Sequence, residues 1–154
     1  MNEEGDQFNP SVAMLADGGF AIGYHQEPLS ERNFEVMARR FDATGEPQSD
    51  EFQMNTHIEA NQRNVRLSAG PSGFFAVWQS YYQDEYGWGV FGRSYDGTFG
   101  IDSAEFMLSE TGNNDETSPA VASGGDGRIV VVWHQDDGFN FKIRTRVIMP
   151  ADGH

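Results

Sequence analysis

Three short apolar runs, each closed by an aromatic ring, set the rhythm of this chain: FAIGY (20–24), FFAVW (74–78) and IVVVW (129–133). Their last residues, Tyr24, Trp78 and Trp133, stand 54 and 55 positions apart. Around the first run the apolar positions predict four strands, roughly 11–16, 20–26, 34–41 and 51–55. Asp17-Gly18-Gly19 separates the first two, and Asp42-Ala43-Thr44-Gly45 the last two. Both are turn signals in which glycine supplies the positive φ of a tight reversal. The second run of each copy is apolar on both faces, as a covered central strand requires. The fourth run (EF, then Met or Leu) alternates and carries charge, as an edge strand does.

The other runs repeat with the same period. VMARRFDATG (36–45) matches VFGRSYDGTF (90–99), and IRTRVI (143–148) follows in the third copy, so Arg39, Arg93 and Arg146 occupy one place. DEFQMN (50–55) matches AEFMLS (104–109), while DQFNPSVA (6–13), NQRNVRLS (61–68) and DETSPAVA (115–122) align upstream. The repeats span about 6–55, 61–109 and 115–149 of a chain read as a single repeat domain. The third stops at VIMPADGH without an E-F run. Four runs joined by short turns form an antiparallel meander, the blade of a β-propeller.

The expected fold is therefore all-β, with three four-stranded blade-like repeats. Three blades do not close a propeller, which uses about four to eight. Met1-Asn2 aligns with Met54-Asn55, where an outer strand ends. Two arrangements follow: a segment of a longer array, or a homodimer of two half-propellers. A β-trefoil, also three repeats of four strands, is the alternative.

Composition supports the β reading: 12 Phe, 5 Tyr, 3 Trp and 18 Gly in 154 residues. The net charge of −14 disfavours nucleic acid and anionic membranes as partners. No cysteine is present, so disulfides and thiol chemistry are excluded. The N-terminal residues carry no signal-peptide pattern, and no apolar run is long enough to span a bilayer as a helix.

Taken together, P-x-V-A-x-L-x-D-G-G-F, then R-x-F-D-x-x-G, then E-F-x-x-N resembles tandem repeats of large bacterial secreted and surface proteins. That resemblance covers the whole chain. It implies propeller-type blades, an extracellular or cell-surface location, and neighbours that carry Ca²⁺-binding or adhesion modules; it implies no active site. The second copy departs from it at Pro71-Ser72, which stand in place of Asp-Gly.

Candidate chemistry lies at the strand ends: Tyr24-His25, Trp78-Gln79 and Trp133-His134. A ring there can stack on a sugar while its polar neighbour bonds the hydroxyls, which gives a repeat lectin with one site per blade. The opposing reading is that the rings pack between blades. Arg39, Arg93 and Arg146 read chiefly as structural, each able to stack on a ring or pair with a carboxylate. The acidic clusters Glu3-Glu4-Asp6, Asp115-Glu116 and Asp136-Asp137-Gly138 offer weak Ca²⁺ ligands, without EF-hand or nonapeptide spacing. The SYDGTF turn (94–99) only faintly matches an Asp-box. The four histidines form no zinc motif, and no P-loop or nucleophile elbow is present. A glycosidase would need two facing carboxylates, and the sequence nominates no pair. The sequence thus supports a non-catalytic binding or structural module, with a glycan or another protein as its partner and no required cofactor.

Overall fold

The computed structural model describes residues 5–28, 33–110 and 112–149. Glu3, Glu4, His154, the Met1-Asn2 pair and most of the loop at 27–33 lie outside them. Eleven strands are present among the described residues: β1 (Asp6–Met14), β2 (Phe20–Glu27), β3 (Glu35–Phe41), β4 (Phe52–Gln53), β5 (Gln62–Gly70), β6 (Gly73–Tyr81), β7 (Trp88–Asp96), β8 (Phe106–Met107), β9 (Asp115–Ser123), β10 (Ile129–Asp136) and β11 (Phe141–Ile148). They form three separate antiparallel sheets in consecutive order, β1–β4, β5–β8 and β9–β11, which we call blades 1, 2 and 3. Among the described residues the third has three strands. The trefoil alternative fails, because every strand pairs only with its neighbours inside its own repeat.

The turns form for the expected reason. Gly18 and Gly45 sit at φ +86° and +90°, where a side chain would be strained. Asp42 Oδ1 accepts hydrogen bonds from the backbone N–H of Thr44 (2.8 Å) and Glu46 (3.0 Å) and from the Thr44 hydroxyl. Asp96 does the same for Thr98 and Gly100 one repeat later. The weak Asp-box resemblance is therefore a turn cap shared by blades 1 and 2.

Two details differ from the expectation. The outer strands shrink to two residues, Phe52–Gln53 and Phe106–Met107. The innermost strand begins at Asp6, not 11, because it continues through a bulge. Equivalent bulges break the register of β5 and β9. Each holds a residue in the left-handed region: Asn9 (φ 49°), Asn64 (φ 58°) and Ser118 (φ 55°). Short polar side chains tolerate that conformation best.

Opposed residues in an antiparallel pair share a face, so each blade has one face toward the preceding blade and one toward the next. Two apolar clusters lie between blades. The first joins Ala13, Ala21, Val36, Ala38 and Met54 of blade 1 to Leu67, Phe74, Trp78, Phe91 and Tyr95 of blade 2. The second joins Phe75, Val77, Val90 and Leu108 of blade 2 to Val131 and Trp133 of blade 3. The hydrophobic core of this protein is thus its two seams.

Candidate functional site

The aromatic residues nominated from the sequence do not gather around one opening. Trp78 is fully buried in the first seam and Trp133 nearly so in the second, each facing the preceding blade. Tyr24 holds the same position in blade 1 and is also buried. Its phenol is pushed up by burial and by the Glu51 carboxylate beside it. Trp78 offers no exposed ring face for a sugar. The indole Nε1 atoms of Trp78 and Trp133 are buried without a hydrogen-bond partner.

Two of their polar neighbours, His25 and Gln79, cross the seams instead, while His134 is exposed. The backbone N–H of Asn64 donates to His25 Nδ1 at 3.3 Å, and the N–H of Ser118 donates to Gln79 Oε1 at 3.0 Å. In each seam, the strand-end side chain of one blade satisfies the bulge amide of the next. The bulges also touch one another, with Asn9 Nδ2 donating to Asn64 Oδ1 at 2.6 Å. The role of the bulge was readable only in part. The three aligned segments FNPS, RNVR and TSPA place Asn, Asn and Ser together, but a partner that is a backbone amide 39 residues away leaves no mark in sequence.

Arg93 and Arg146 are clips between blades. Arg93 Nε donates to Ser103 O in its own blade at 3.0 Å, and Nη1 donates to Met54 O of blade 1 at 3.2 Å. The Tyr95 hydroxyl, its pKa pushed up to about 12 mainly by burial, donates to the same Met54 carbonyl. Arg146 Nη1 reaches Met107 O and Leu108 O of blade 2, each at 3.1 Å. Arg39 makes the own-blade bond to Ser49 O at 3.0 Å and lies over the Phe41 ring.

Each seam also buries one carboxylate. In the first, Asn55 Nδ2 donates to Glu35 Oε2 and to Gln62 Oε1. In the second, Glu116 takes the place of Gln62 and accepts from Gln135 Nε2 at 3.2 Å, with its Oε2 unpartnered. Burial pushes Glu116 up to about 7; the Gln135 bond opposes this, and the charges of Asp84 and Asp115 add to it. Burial, then Arg63 and Arg66, pushes His25 down to about 4.

The two shifts act on stability with opposite sign. Between 4.5 and 7 the unfolded chain has lost the Glu116 proton that the folded chain keeps, so stability falls as pH rises across that window. For His25 the unfolded chain holds the extra proton between 4 and 6.5, so stability is lost as pH falls through that window. Thermal unfolding of Glu116→Gln should therefore give a higher Tm than the wild type above pH 7 and the same Tm near pH 4.5. His25→Gln, which keeps an acceptor for Asn64, should gain on the wild type near pH 4.5 instead.

The acidic clusters at 115–116 and 136–138 are occupied by bonds within the fold, and Glu3-Glu4 lie outside the described residues. Asp115 accepts from Trp88 N–H, and Asp137 accepts from the Phe139 and Asn140 amides and from Lys142 Nζ. Among the described residues no group of three or more His, Asp or Glu side chains is placed to hold a metal ion. A cleft of about 760 Å³ at the turn end, between blades 2 and 3, has Phe75, Phe106, Ile129, Asp102 and Asp126 in its lining. Asp126 is paired with Arg128 and held low by that contact and by the Arg128 amide. A second cleft of about 500 Å³ beside β11 takes in Trp133, Gln135, Glu110 and Arg146, without His134.

One surface feature lies outside the repeated pattern. The loop after β6 exposes Tyr81, Tyr82 and Tyr86 beside Trp88, with Tyr81 and Trp88 ring centres 5.0 Å apart. Arg63 lies over Trp88 at 4.2 Å. Tyr82 and Glu85 are left-handed (φ 62° and 72°), and Gln83 pins the loop to Glu105. The signal was present as YYQDEYGW, but only blade 2 carries it, so a repeat alignment passes over it.

No protein-family model matches the chain, and no curated protein matches it by sequence. The chain is similar in structure to the endo-arabinase of Bacteroides thetaiotaomicron, with a TM-score of 0.59 and 11% identity over 93% of this chain. That enzyme is a β-propeller. The fold here is a partial β-propeller. It spans 57% of the enzyme's length, and at this identity the likeness concerns the fold alone. Among the described residues of the partial propeller, no helix is long and apolar enough to cross a membrane.

Proposed function

We propose that the chain is a non-catalytic structural and binding module of a bacterial exoprotein, acting outside the cell. The observation that carries this reading is the use made of the repeated chemistry. Between them, His25, Gln79, Trp78, Trp133, Arg93 and Arg146 fill or bond the seams. Glu116, a carboxylate pushed up toward neutrality, is sealed inside a seam rather than facing a cleft. Incubation with arabinan and other plant and bacterial polysaccharides should release no reducing ends; release that Asp102→Asn or Asp126→Asn abolishes would contradict the reading.

A carbohydrate-binding role is favoured by a different surface from the strand-end rings. The Tyr81, Tyr82, Tyr86 and Trp88 ledge presents exposed ring faces, Tyr82 at 60%. Phenol hydroxyls and the Arg63 guanidinium border those faces, on a loop already held in place. Rigid amphipathic rings bind at low entropic cost. Titration with neutral oligosaccharides should give binding that Tyr82→Ala weakens at least tenfold with Tm unchanged. Binding that ignores Tyr82→Ala but is lost in His134→Ala would return the site to the strand ends.

A further inference from the structure

The two seams are built from corresponding positions of the repeat, and the end blades carry the same positions on their outward faces. The blade 2 face turned toward blade 3 contains Val77, Gln79 and Val90, all buried. The equivalent positions on the open face of blade 3 are Val132, His134 and Ile143, with His134 and Ile143 paired across β10 and β11. Val90 is 0% exposed and Ile143 is 68% exposed. Val130 and Val147, paired on the same open face, are exposed as well. At the other end, Val12 of blade 1 stands where Leu67 stands in blade 2, at 61% against 7% exposure, on a face where Tyr24 is already buried within its own blade.

The polar fasteners are divided in the same way. His134 occupies the place of His25 and Gln79, is exposed, and makes no hydrogen bond among the described residues. Asn9 occupies the place of Asn64 and Ser118 and already has their left-handed backbone. In the existing seams the counterparts of Ile143 and Val12 share a cluster: Val36 with Leu67, and Val90 with Val121.

We infer that a second copy of this chain supplies the missing halves. Blade 3 of each copy seats on blade 1 of the other in a two-fold ring of six blades, where His134 accepts from the partner copy's Asn9 amide. Each outward face continues the pattern of a face that is already buried in a seam of the same chain. Closed two-fold assembly covers both open ends at once. The inference is independent of whether the aromatic ledge binds glycans.

The test is light scattering on the purified chain at physiological salt, where repulsion between copies of net charge −14 is screened beyond about 8 Å. The expected mass is twice the 17.2 kDa of one chain. Ile143→Lys and Val12→Glu change exposed residues, so each variant should keep its circular dichroism spectrum yet run as a monomer. A mixture of the two restores one unaltered seam and opposes Lys to Glu in the other, so it should return to the dimer. A monomeric wild type, as expected if the open faces serve further blades of a longer polypeptide, would overturn the inference. So would larger polymers, a dimer that survives both substitutions, or a mixture that stays monomeric.

Discussion

Replacing Trp78 with alanine is expected to lower the melting temperature by about 10 °C. The side chain is fully buried in the first seam, among Val65, Leu67 and Phe91 from its own blade and Ala21, Val36 and Ala38 from blade 1. Truncating a buried Trp costs about 3–5 kcal/mol, because transfer energy and cavity both count against the fold. For a chain of this size each kcal/mol moves Tm by about 2–4 °C. Trp78→Phe is the informative companion. The indole N–H has no partner, so phenylalanine keeps most of the apolar area and removes an unsatisfied donor. Its loss should stay within about 1.5 kcal/mol. Scanning calorimetry of both variants checks this; a Trp78→Ala protein as stable as the wild type would mean that the ring does not hold the seam.

The second large effect belongs to Arg93. Its guanidinium ties the blade 2 turn at Ser103 to the end of the blade 1 sheet at Met54, and the side chain is nearly buried. Alanine removes two charge-assisted bonds and takes the donor from the Ser103 carbonyl, while Met54 O keeps the Tyr95 hydroxyl, a loss of about 2–4 kcal/mol. Arg93→Lys should recover little, since an ammonium on a single stem lacks the planar fork that spans both acceptors. Urea unfolding of the two variants reads the difference, with the midpoint falling and the slope unchanged if blades 1 and 2 still unfold together.

Much of the architecture is legible in the residues themselves. The 54- and 55-residue spacing of Tyr24, Trp78 and Trp133, with Asp-Gly turns between runs, is enough to reach three antiparallel meanders, because each meander is built from local hairpins. The equivalence of Arg39, Arg93 and Arg146 was also visible. What they grip was not, since Met54 O and Met107 O are backbone atoms, and any residue type there provides the same carbonyl. The strand-end His and Gln read equally well as ligand donors or as seam donors, and only the position of the next blade separates the two. Glu116 illustrates the remaining limit. A glutamate among Asp and Thr looks like a solvated turn, yet its alignment with Gln62 places it inside a seam. The Tyr81–Trp88 ledge escaped for the opposite reason, being particular to one blade.

The recurring arginines act according to whether a blade lies beside them. The most direct measurement is urea unfolding of Arg93→Ala beside Arg39→Ala. Both side chains hold the turn of their own blade, through Ser103 O and Ser49 O respectively. Arg93 alone of the two also reaches a carbonyl of a preceding blade among the described residues. Arg93→Ala is expected to cost about 2 kcal/mol more than Arg39→Ala. Equal losses, or a larger one at Arg39, would contradict it.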